Sequence, residues 1–266
     1  MSAPSILIVD DDADICANVS DILNDLGYHT AVAHDAQSAL QKVREEPFDV
    51  ALVDFKMPGM DGATLYSEIR RLHPEIVAIM ITAYAGSDGA QRALDAGTWR
   101  VLRKPLDFSE LLPLIEQAVA QPLLLVVDDD TEFCDSLWEI LRDADYRVGL
   151  AHDPQVASAY VTHRDFDIAL LDLHLTDNAG GSQVFQEIGK HASTTRVLLV
   201  TGFRSEMQPT IDALMESGAK GICYKPLDVA ALLRKVNELL STHSRVMPPN
   251  PPESRAGTAA EKMVSD

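Results

Sequence analysis

The stretch Ile6-Leu7-Ile8-Val9-Asp10-Asp11-Asp12 decides the fold, because four apolar residues lead directly into a run of carboxylates. The same pattern returns as Leu124-Leu125-Val126-Val127-Asp128-Asp129-Asp130. Around it, residues 6–55 align without a gap on residues 124–173. Self-similarity over such a length identifies an internal repeat. The sequence therefore predicts two copies of one domain.

Each copy alternates short apolar runs with amphipathic stretches, the pattern of strand–helix units around a parallel sheet. In the first copy Val50-Ala51-Leu52-Val53 is apolar at every position, as expected for a central strand covered on both faces. The predicted strands cover residues 5–9, 28–33, 48–53, 76–82 and 99–103, with helices near 13–26, 35–46, 61–72, 87–96 and 109–119. The predicted fold class is α/β, with two tandem doubly wound domains, each holding a five-stranded parallel sheet.

The predicted domains are residues 1–120 and 121–242, followed by a tail at 243–266. The junction at residues 118–122 is very short, so we expect the two domains to touch. The tail contains Met247-Pro248-Pro249-Asn250-Pro251-Pro252-Glu253, a composition typical of disordered segments. A docking peptide is the alternative interpretation of the tail.

Composition limits the function classes. The chain has 266 residues, 46% of them hydrophobic and 24% charged, which fits two globular domains. A net charge of −19 argues against direct binding to nucleic acid or to an anionic membrane. Cys16, Cys134 and Cys223 lack the spacing of a metal site or a disulfide framework, so we expect buried free thiols. Apolar stretches are only strand-sized, and the protein is predicted to be cytoplasmic.

Polar residues end or follow four of the five predicted strands in each copy. Ligands of an open parallel sheet bind outside the carboxyl ends of its strands, so these side chains should converge. They are Asp10, Asp11, Asp54, Thr82 and Lys104 in the first copy, and Asp128, Asp129, Asp172, Thr201 and Lys225 in the second. Helix capping explains Asp12 and Asp130 but not two matching sets. Clustered carboxylates attract a cation, and oxygen ligands beside a phosphate site suit Mg²⁺.

The residue types indicate phosphoryl transfer to a carboxylate. Mg²⁺ held by Asp11 and Asp54 would neutralise most of the cluster. Asp54 could then attack phosphorus. The ammonium of Lys104 and the hydroxyl of Thr82 would stabilise the charge on the phosphoryl oxygens.

These residues resemble those of the receiver domain of two-component response regulators. The motifs that carry the resemblance are Asp10-Asp11, Asp54-Phe55-Lys56-Met57-Pro58-Gly59-Met60-Asp61-Gly62, Thr82-Ala83 and Lys104-Pro105. The resemblance covers residues 5–241 and implies a flavodoxin-like sheet of strand order 2-1-3-4-5. It also implies that the protein accepts phosphate from a histidine kinase or a histidine phosphotransfer protein and then slowly dephosphorylates itself, without acting as an enzyme on another substrate.

The resemblance also implies a role for each matching position. Asp54 and Asp172 would be the phosphoacceptors. The metal ligands would be Asp10, Asp11, Asp54 and the backbone carbonyl of Lys56, and in the second copy Asp128, Asp129, Asp172 and the backbone carbonyl of His174. Thr82, Lys104, Thr201 and Lys225 would stabilise the phosphoryl group. Val101 and Ile222 occupy the switch position where the family often carries an aromatic residue, and Pro105 and Pro226 are predicted to follow cis peptide bonds.

The second copy departs from the family pattern after its acceptor. Asp172-Leu173-His174-Leu175-Thr176-Asp177-Asn178-Ala179-Gly180 lacks the Met-Pro turn and the Asp-Gly pair, and Thr201 is followed by Gly202 rather than alanine. The sequence therefore predicts phosphorylation of Asp54, and of Asp172 if the altered loop keeps the geometry.

The leading hypothesis is a phosphoacceptor whose output is contact with a downstream protein, because no effector domain is evident after residue 241. A homodimer through the fourth helix, fifth strand and fifth helix is one arrangement open to such a domain. The alternative is a scaffold or adaptor in which one or both receivers are not phosphorylated. An aspartyl-phosphate phosphatase built on Asp10 and Asp12 is disfavoured, since Asp14 stands where that motif needs Thr or Val.

Overall fold

The structure is a computed structural model that describes residues 3–83, 87–175, 180–202 and 207–241. The predicted tail at 243–266 and residues 176–179 of the altered acceptor loop lie outside the described residues.

The first copy forms five strand–helix units. Its elements are β1 (Ser5–Val9), α1 (Ala13–Asp25), β2 (His29–Ala33), α2 (Ala36–Glu45), β3 (Val50–Asp54), α3 (Gly62–Leu72), β4 (Val77–Thr82), α4 (Ser87–Asp95), β5 (Arg100–Arg103) and α5 (Phe108–Ala120). The strands are parallel in the order β2-β1-β3-β4-β5, which confirms the predicted fold class and strand order. Asp54 is the last residue of β3, whereas the sequence predicted the strand to end one residue earlier.

The second copy repeats this plan. Its elements are β6 (Leu123–Val127), α6 (Thr131–Asp143), β7 (Arg147–Ala151), α7 (Pro154–His163), β8 (Ile168–Asp172), α8 (Gly180–His191), β9 (Arg196–Thr201), α9 (Gln208–Glu216), β10 (Gly221–Tyr224) and α10 (Val229–Ser241). The sheet order β7-β6-β8-β9-β10 corresponds to 2-1-3-4-5 in the first copy. None of the described helices combines the length and the hydrophobicity that a membrane-spanning helix requires.

Helices on both faces of each sheet bury the alternating side chains of its central strands. In β1, Leu7 and Val9 pack on one side, while Ile6 and Ile8 pack on the other. Successive side chains of a strand point to opposite faces, so an apolar strand needs a core on each side. The two layers hold the strands rigidly and fix the position of whatever follows their carboxyl ends.

The three cysteines are free and buried, as predicted. Burial raises the pKa of the Cys16 thiol to about 11 and that of the Cys134 thiol to about 12. Because the thiolate is the reactive form, we expect all three thiols of the native protein to react slowly with a chromogenic disulfide reagent near neutral pH. Unfolding in guanidinium should expose all three. One rapidly reacting thiol in the native protein would contradict this prediction.

The two domains contact each other, as the short junction predicted. The guanidinium of Arg147, at the start of β7, donates to Asp49 Oδ1 over 2.6 Å, and Arg164 donates to the carbonyl of Phe48 over 2.9 Å. Arg164 also lies 3.6 Å from the carboxylate of Glu75, whose side chain is 1% exposed. Two carboxylates of the first domain and two guanidiniums of the second thus form one ion cluster in the interface.

Aromatic side chains extend this interface. Trp138 Nε1 donates to the carbonyl of Pro74 over 3.0 Å, and the guanidinium of Arg70 lies 3.8 Å from the Trp138 ring centroid. Trp99 Nε1 donates to Asp145 Oδ1 over 2.8 Å. Both tryptophans therefore pack between the domains. On the first domain these contacts involve the segments that precede β4 and β5, away from the strand ends that carry Asp54.

Candidate functional site

The carboxyl ends of neighbouring strands bring the predicted polar residues together. Asp10 follows β1, Asp54 ends β3, Thr82 ends β4, and Lys104 follows β5. Since chain order reverses between β1 and β3, this edge is the switch point where open α/β sheets bind ligands. Oxygen atoms of Asp10, Asp11 and Asp54 lie within 4.8 Å of one another, and so do those of Asp128, Asp129 and Asp172.

In the first domain, Lys104 joins the two buried carboxylates. Its ammonium lies 2.8 Å from Asp10 Oδ2 and 3.3 Å from Asp54 Oδ1. Burial acts to lower the pKa of Lys104, but the hydrogen bond to Asp10 and the charges of both carboxylates outweigh it and raise the pKa. Lys104 therefore carries a full positive charge beside the acceptor at physiological pH.

Asp54 is buried, and its environment disfavours the ionised form. Burial raises the pKa of Asp54, and the nearby charge of Asp10 adds to this effect, while Lys104 and the backbone N–H of Lys56 act to lower it. A carboxylate in such a position gains from any further cation in the cluster. The site thus contains a buried carboxylate whose ionised form a bound cation would stabilise.

The second domain reproduces the arrangement with shorter contacts to its lysine. The ammonium of Lys225 lies 2.5 Å from Asp128 Oδ2 and 2.8 Å from Asp172 Oδ2. The backbone N–H of His174 donates to Asp172 Oδ1 over 3.1 Å. Burial raises the pKa of Asp128, against the lowering effect of Lys225. Despite the altered sequence after Asp172, the groups of the first site are present again.

The remaining predicted residues lie within the strands that end at the two sites or directly after them. Thr82 and Thr201 are buried at the ends of β4 and β9. Val101 lies in β5 opposite Met80, and Ile222 lies in β10 opposite Leu199, both half-buried against the cores. The peptide bonds Lys104–Pro105 and Lys225–Pro226 are both cis. Asp12 and Asp130 cap α1 and α6, as expected.

One structural requirement was missed by the sequence analysis. A Cβ on Gly62 would lie 2.3 Å from the carbonyl oxygen of Asp54, and one on Gly181 would lie 2.6 Å from that of Asp172. Glycine lets each helix begin directly against the acceptor strand. The second copy lacks the Asp-Gly pair of the first, but Gly181 allows the same close approach of helix and strand. In the sequence, the pair Gly180-Gly181 was the one signal for this glycine.

A second repeated feature supports the buried aspartate of each cluster. The thiol of Cys16 lies 3.3 Å from the carbonyl oxygen of Asp10, and His34 Nδ1 lies 3.4 Å from the same atom. Cys134 and His152 make the equivalent contacts to the Asp128 carbonyl, at 3.4 and 3.3 Å. The matched histidines therefore contact backbone beside the site.

Comparisons with known proteins agree with this geometry. The family model of the response regulator receiver domain matches residues 6–116 and again residues 124–237. A response regulator receiver protein of Anaeromyxobacter sp. is 33% identical over 237 residues, which cover 88% of this chain and 94% of that protein. The transcriptional regulatory protein ZraR of Escherichia coli is 41% identical over 115 residues, covering 43% of this chain and 26% of ZraR.

Among solved structures, a CheY-like receiver domain protein from Methanospirillum hungatei is 36% identical and has a TM-score of 0.43, covering 44% of this chain and 94% of that one. The family model accounts for both halves of the chain. The chain therefore belongs to the response regulator receiver family and is a phosphoacceptor of two-component signalling with two receiver domains in tandem.

Proposed function

We propose that Asp54 and Asp172 are the residues on which this protein accepts phosphate. The observation that carries the proposal is the lysine ammonium bonded to both buried carboxylates in each domain. The acceptor lies at the switch point of each sheet, beside a cationic group and a buried threonine. Two independent copies of one arrangement are hard to explain by capping or by stability alone.

The donor set fits a divalent cation. Three carboxylates face one ammonium in each cluster, so each site has an excess of two negative charges. Oxygen ligands of this kind suit Mg²⁺. Asp10, Asp11, Asp54 and the Lys56 carbonyl would hold it in the first domain, and Asp128, Asp129, Asp172 and the His174 carbonyl in the second. Bound Mg²⁺ would supply charge neutralisation for phosphoryl oxygens.

The residues of the first site divide the chemistry of transfer between them. A carboxylate oxygen of Asp54 attacks the phosphorus of a phosphohistidine, forming an O–P bond while the P–N bond breaks and the imidazole leaves. The Lys104 ammonium pairs with one phosphoryl oxygen, and the Thr82 hydroxyl donates to another. Water then attacks the same phosphorus, which releases phosphate and restores the Asp54 carboxylate. Asp172, Lys225 and Thr201 would act in the same way.

Receiver domains accept phosphate from histidine kinases. For this chain, we infer a histidine kinase or a histidine phosphotransfer protein as the donor and contact with a downstream protein as the output. The domain boundaries 1–120 and 121–242 are also proposed, supported by the end of α5 at Ala120 and the start of β6 at Leu123. Four further properties stay predictions: cytoplasmic localisation, no direct binding of nucleic acid, no enzyme activity on another substrate, and a homodimer through α4, β5 and α5.

The number of working sites is open to direct count by intact-mass spectrometry. After incubation with a small phosphodonor and Mg²⁺, we expect two added phosphoryl groups on the wild type and one on either Asp54→Ala or Asp172→Ala. EDTA should abolish both. One group that is lost only with Asp54→Ala would limit the function to the first domain. No phosphoryl group on folded protein would overturn the proposal in favour of a scaffold.

A further inference from the structure

The two sites differ at one position beside the lysine. Ile15 and Phe133 are each the third residue of the first helix of their domain. The backbone N–H of Ile15 donates to Asp12 Oδ1 over 3.2 Å, and that of Phe133 donates to Asp130 Oδ1 over 3.0 Å. Both side chains are half-buried. The repeat therefore places an aliphatic side chain in one domain and an aromatic one in the other at the same point.

Phe133 contacts the functional ammonium. The Nζ atom of Lys225 lies 4.3 Å from the centroid of the Phe133 ring. A cation over an aromatic face is attracted by the ring quadrupole, an interaction that isoleucine cannot make. Lys225 thus has a third attractive partner in addition to Asp128 and Asp172. The contacts of Lys104 to Asp10 and Asp54, at 2.8 and 3.3 Å, are also the longer pair.

An ammonium and a divalent cation compete for the same carboxylates. Lys225 contacts two of the three carboxylates of its cluster, Asp128 and Asp172, and its charge offsets one of their negative charges. A group that stabilises the Lys225 ammonium beside these carboxylates makes the binding of a divalent cation to them less favourable. The ring of Phe133 is such a group.

We propose that Phe133 is a positioning residue that holds Lys225 on Asp128 and Asp172 and thereby makes the second receiver the weaker divalent-cation site. The proposal rests on the assignment of these carboxylates to a metal site. Phosphorylation at Asp172 then needs a higher Mg²⁺ concentration than phosphorylation at Asp54. The two receivers, although similar in sequence, would then differ in the Mg²⁺ concentration at which they are phosphorylated.

The test measures Mn²⁺ binding by electron paramagnetic resonance, without a phosphodonor, on the full chain with one site removed. Asp11→Ala with Asp54→Ala isolates the second site, and Asp129→Ala with Asp172→Ala isolates the first. We expect Phe133→Ile to tighten Mn²⁺ binding at the second site by about threefold to tenfold. Ile15→Phe should weaken binding at the first site, and Phe133→Tyr, which keeps a ring, should leave the second unchanged.

The direction of the change separates positioning from a general structural role. Loss of local packing would weaken cation binding, whereas loss of the ring contact should strengthen it. Unchanged or weaker Mn²⁺ binding in Phe133→Ile overturns the proposal. If Phe133→Ile does not fold, as judged by circular dichroism, Ile15→Phe decides the matter in the other domain. Because no phosphoryl transfer is measured, failure of Asp172 to accept phosphate would be seen separately, in the mass experiment.

Discussion

Replacement of Arg147 by alanine is expected to lower the free energy of unfolding by about 3–5 kcal/mol, the usual cost of removing one partner of a buried ion pair. The Arg147 side chain is 6% exposed and donates to Asp49 Oδ1 over 2.6 Å and to the Glu75 carbonyl over 3.4 Å. Without it, the charge partner left to Asp49 among the described residues is Arg164, at 3.9 Å. Urea unfolding followed by circular dichroism measures the loss.

The repeat supplies the control for this substitution. His29 occupies the matching place at the start of β2, and its side chain is 61% exposed. His29→Ala should change the free energy of unfolding by no more than about 0.5 kcal/mol, as is usual for a surface side chain. If Arg147→Ala costs as little as His29→Ala, the ion cluster does not stabilise the domain pair.

The ion cluster in the interface should also make the free energy of unfolding depend on pH in the acid range. Burial acts to raise the pKa of Asp49, but the charge of Arg147 and the N–H of Ser5 outweigh it and lower the pKa below its usual 3.8. A carboxylate with a depressed folded-state pKa stabilises the protein fully above its unfolded pKa and loses this contribution as pH falls through the folded value. The difference between wild type and Arg147→Ala should therefore narrow below a pH of about 3.8.

Substitution of Gly62 by alanine should both destabilise the protein and slow phosphorylation at the first site. The added Cβ would lie 2.3 Å from the Asp54 carbonyl oxygen and 2.8 Å from Met80 Sδ, distances that force β3 and α3 apart. We expect a loss of about 3 kcal/mol in the free energy of unfolding. Because the displaced backbone is that of the acceptor, phosphorylation of Asp54 should slow by about a hundredfold. Urea unfolding and timed mass spectrometry measure the two effects.

Two other glycine-to-alanine variants serve as controls that distinguish this steric clash from a general effect of replacing glycine. Gly189 lies inside α8, and a Cβ there would meet nothing within 4 Å. Gly189→Ala should stabilise the protein by about 0.5–1 kcal/mol, because alanine loses less backbone entropy in a helix. Gly181→Ala should impair Asp172 while Asp54 stays active. Normal stability and phosphorylation in Gly62→Ala would contradict the close packing of α3 on β3.

Much of the fold was predictable because its signals are local. The apolar run of β1 and the acidic residues that follow it are neighbours in the chain, and the repeat presented the same pattern twice. Strand ends such as Asp54 and Lys104 could be grouped from the amino-acid sequence alone, because parallel strands bring their carboxyl ends to one edge of a sheet. The helix ends of the first copy differ from the predicted ones by about one residue, a difference within the usual uncertainty of helix boundaries.

The sequence by itself determined the two α/β domains, their strand order through the family resemblance, and the polar residues of each site. Only the tertiary structure decided which residues join the domains, since Asp49 and Arg147 are 98 positions apart and the repeat aligns them with Asp167 and His29 rather than with each other. It also assigned Gly181 the place of Gly62 and placed Phe133 against Lys225. Such contacts depend on how whole elements pack, and neither residue type nor periodicity encodes the distance between side chains on separate elements.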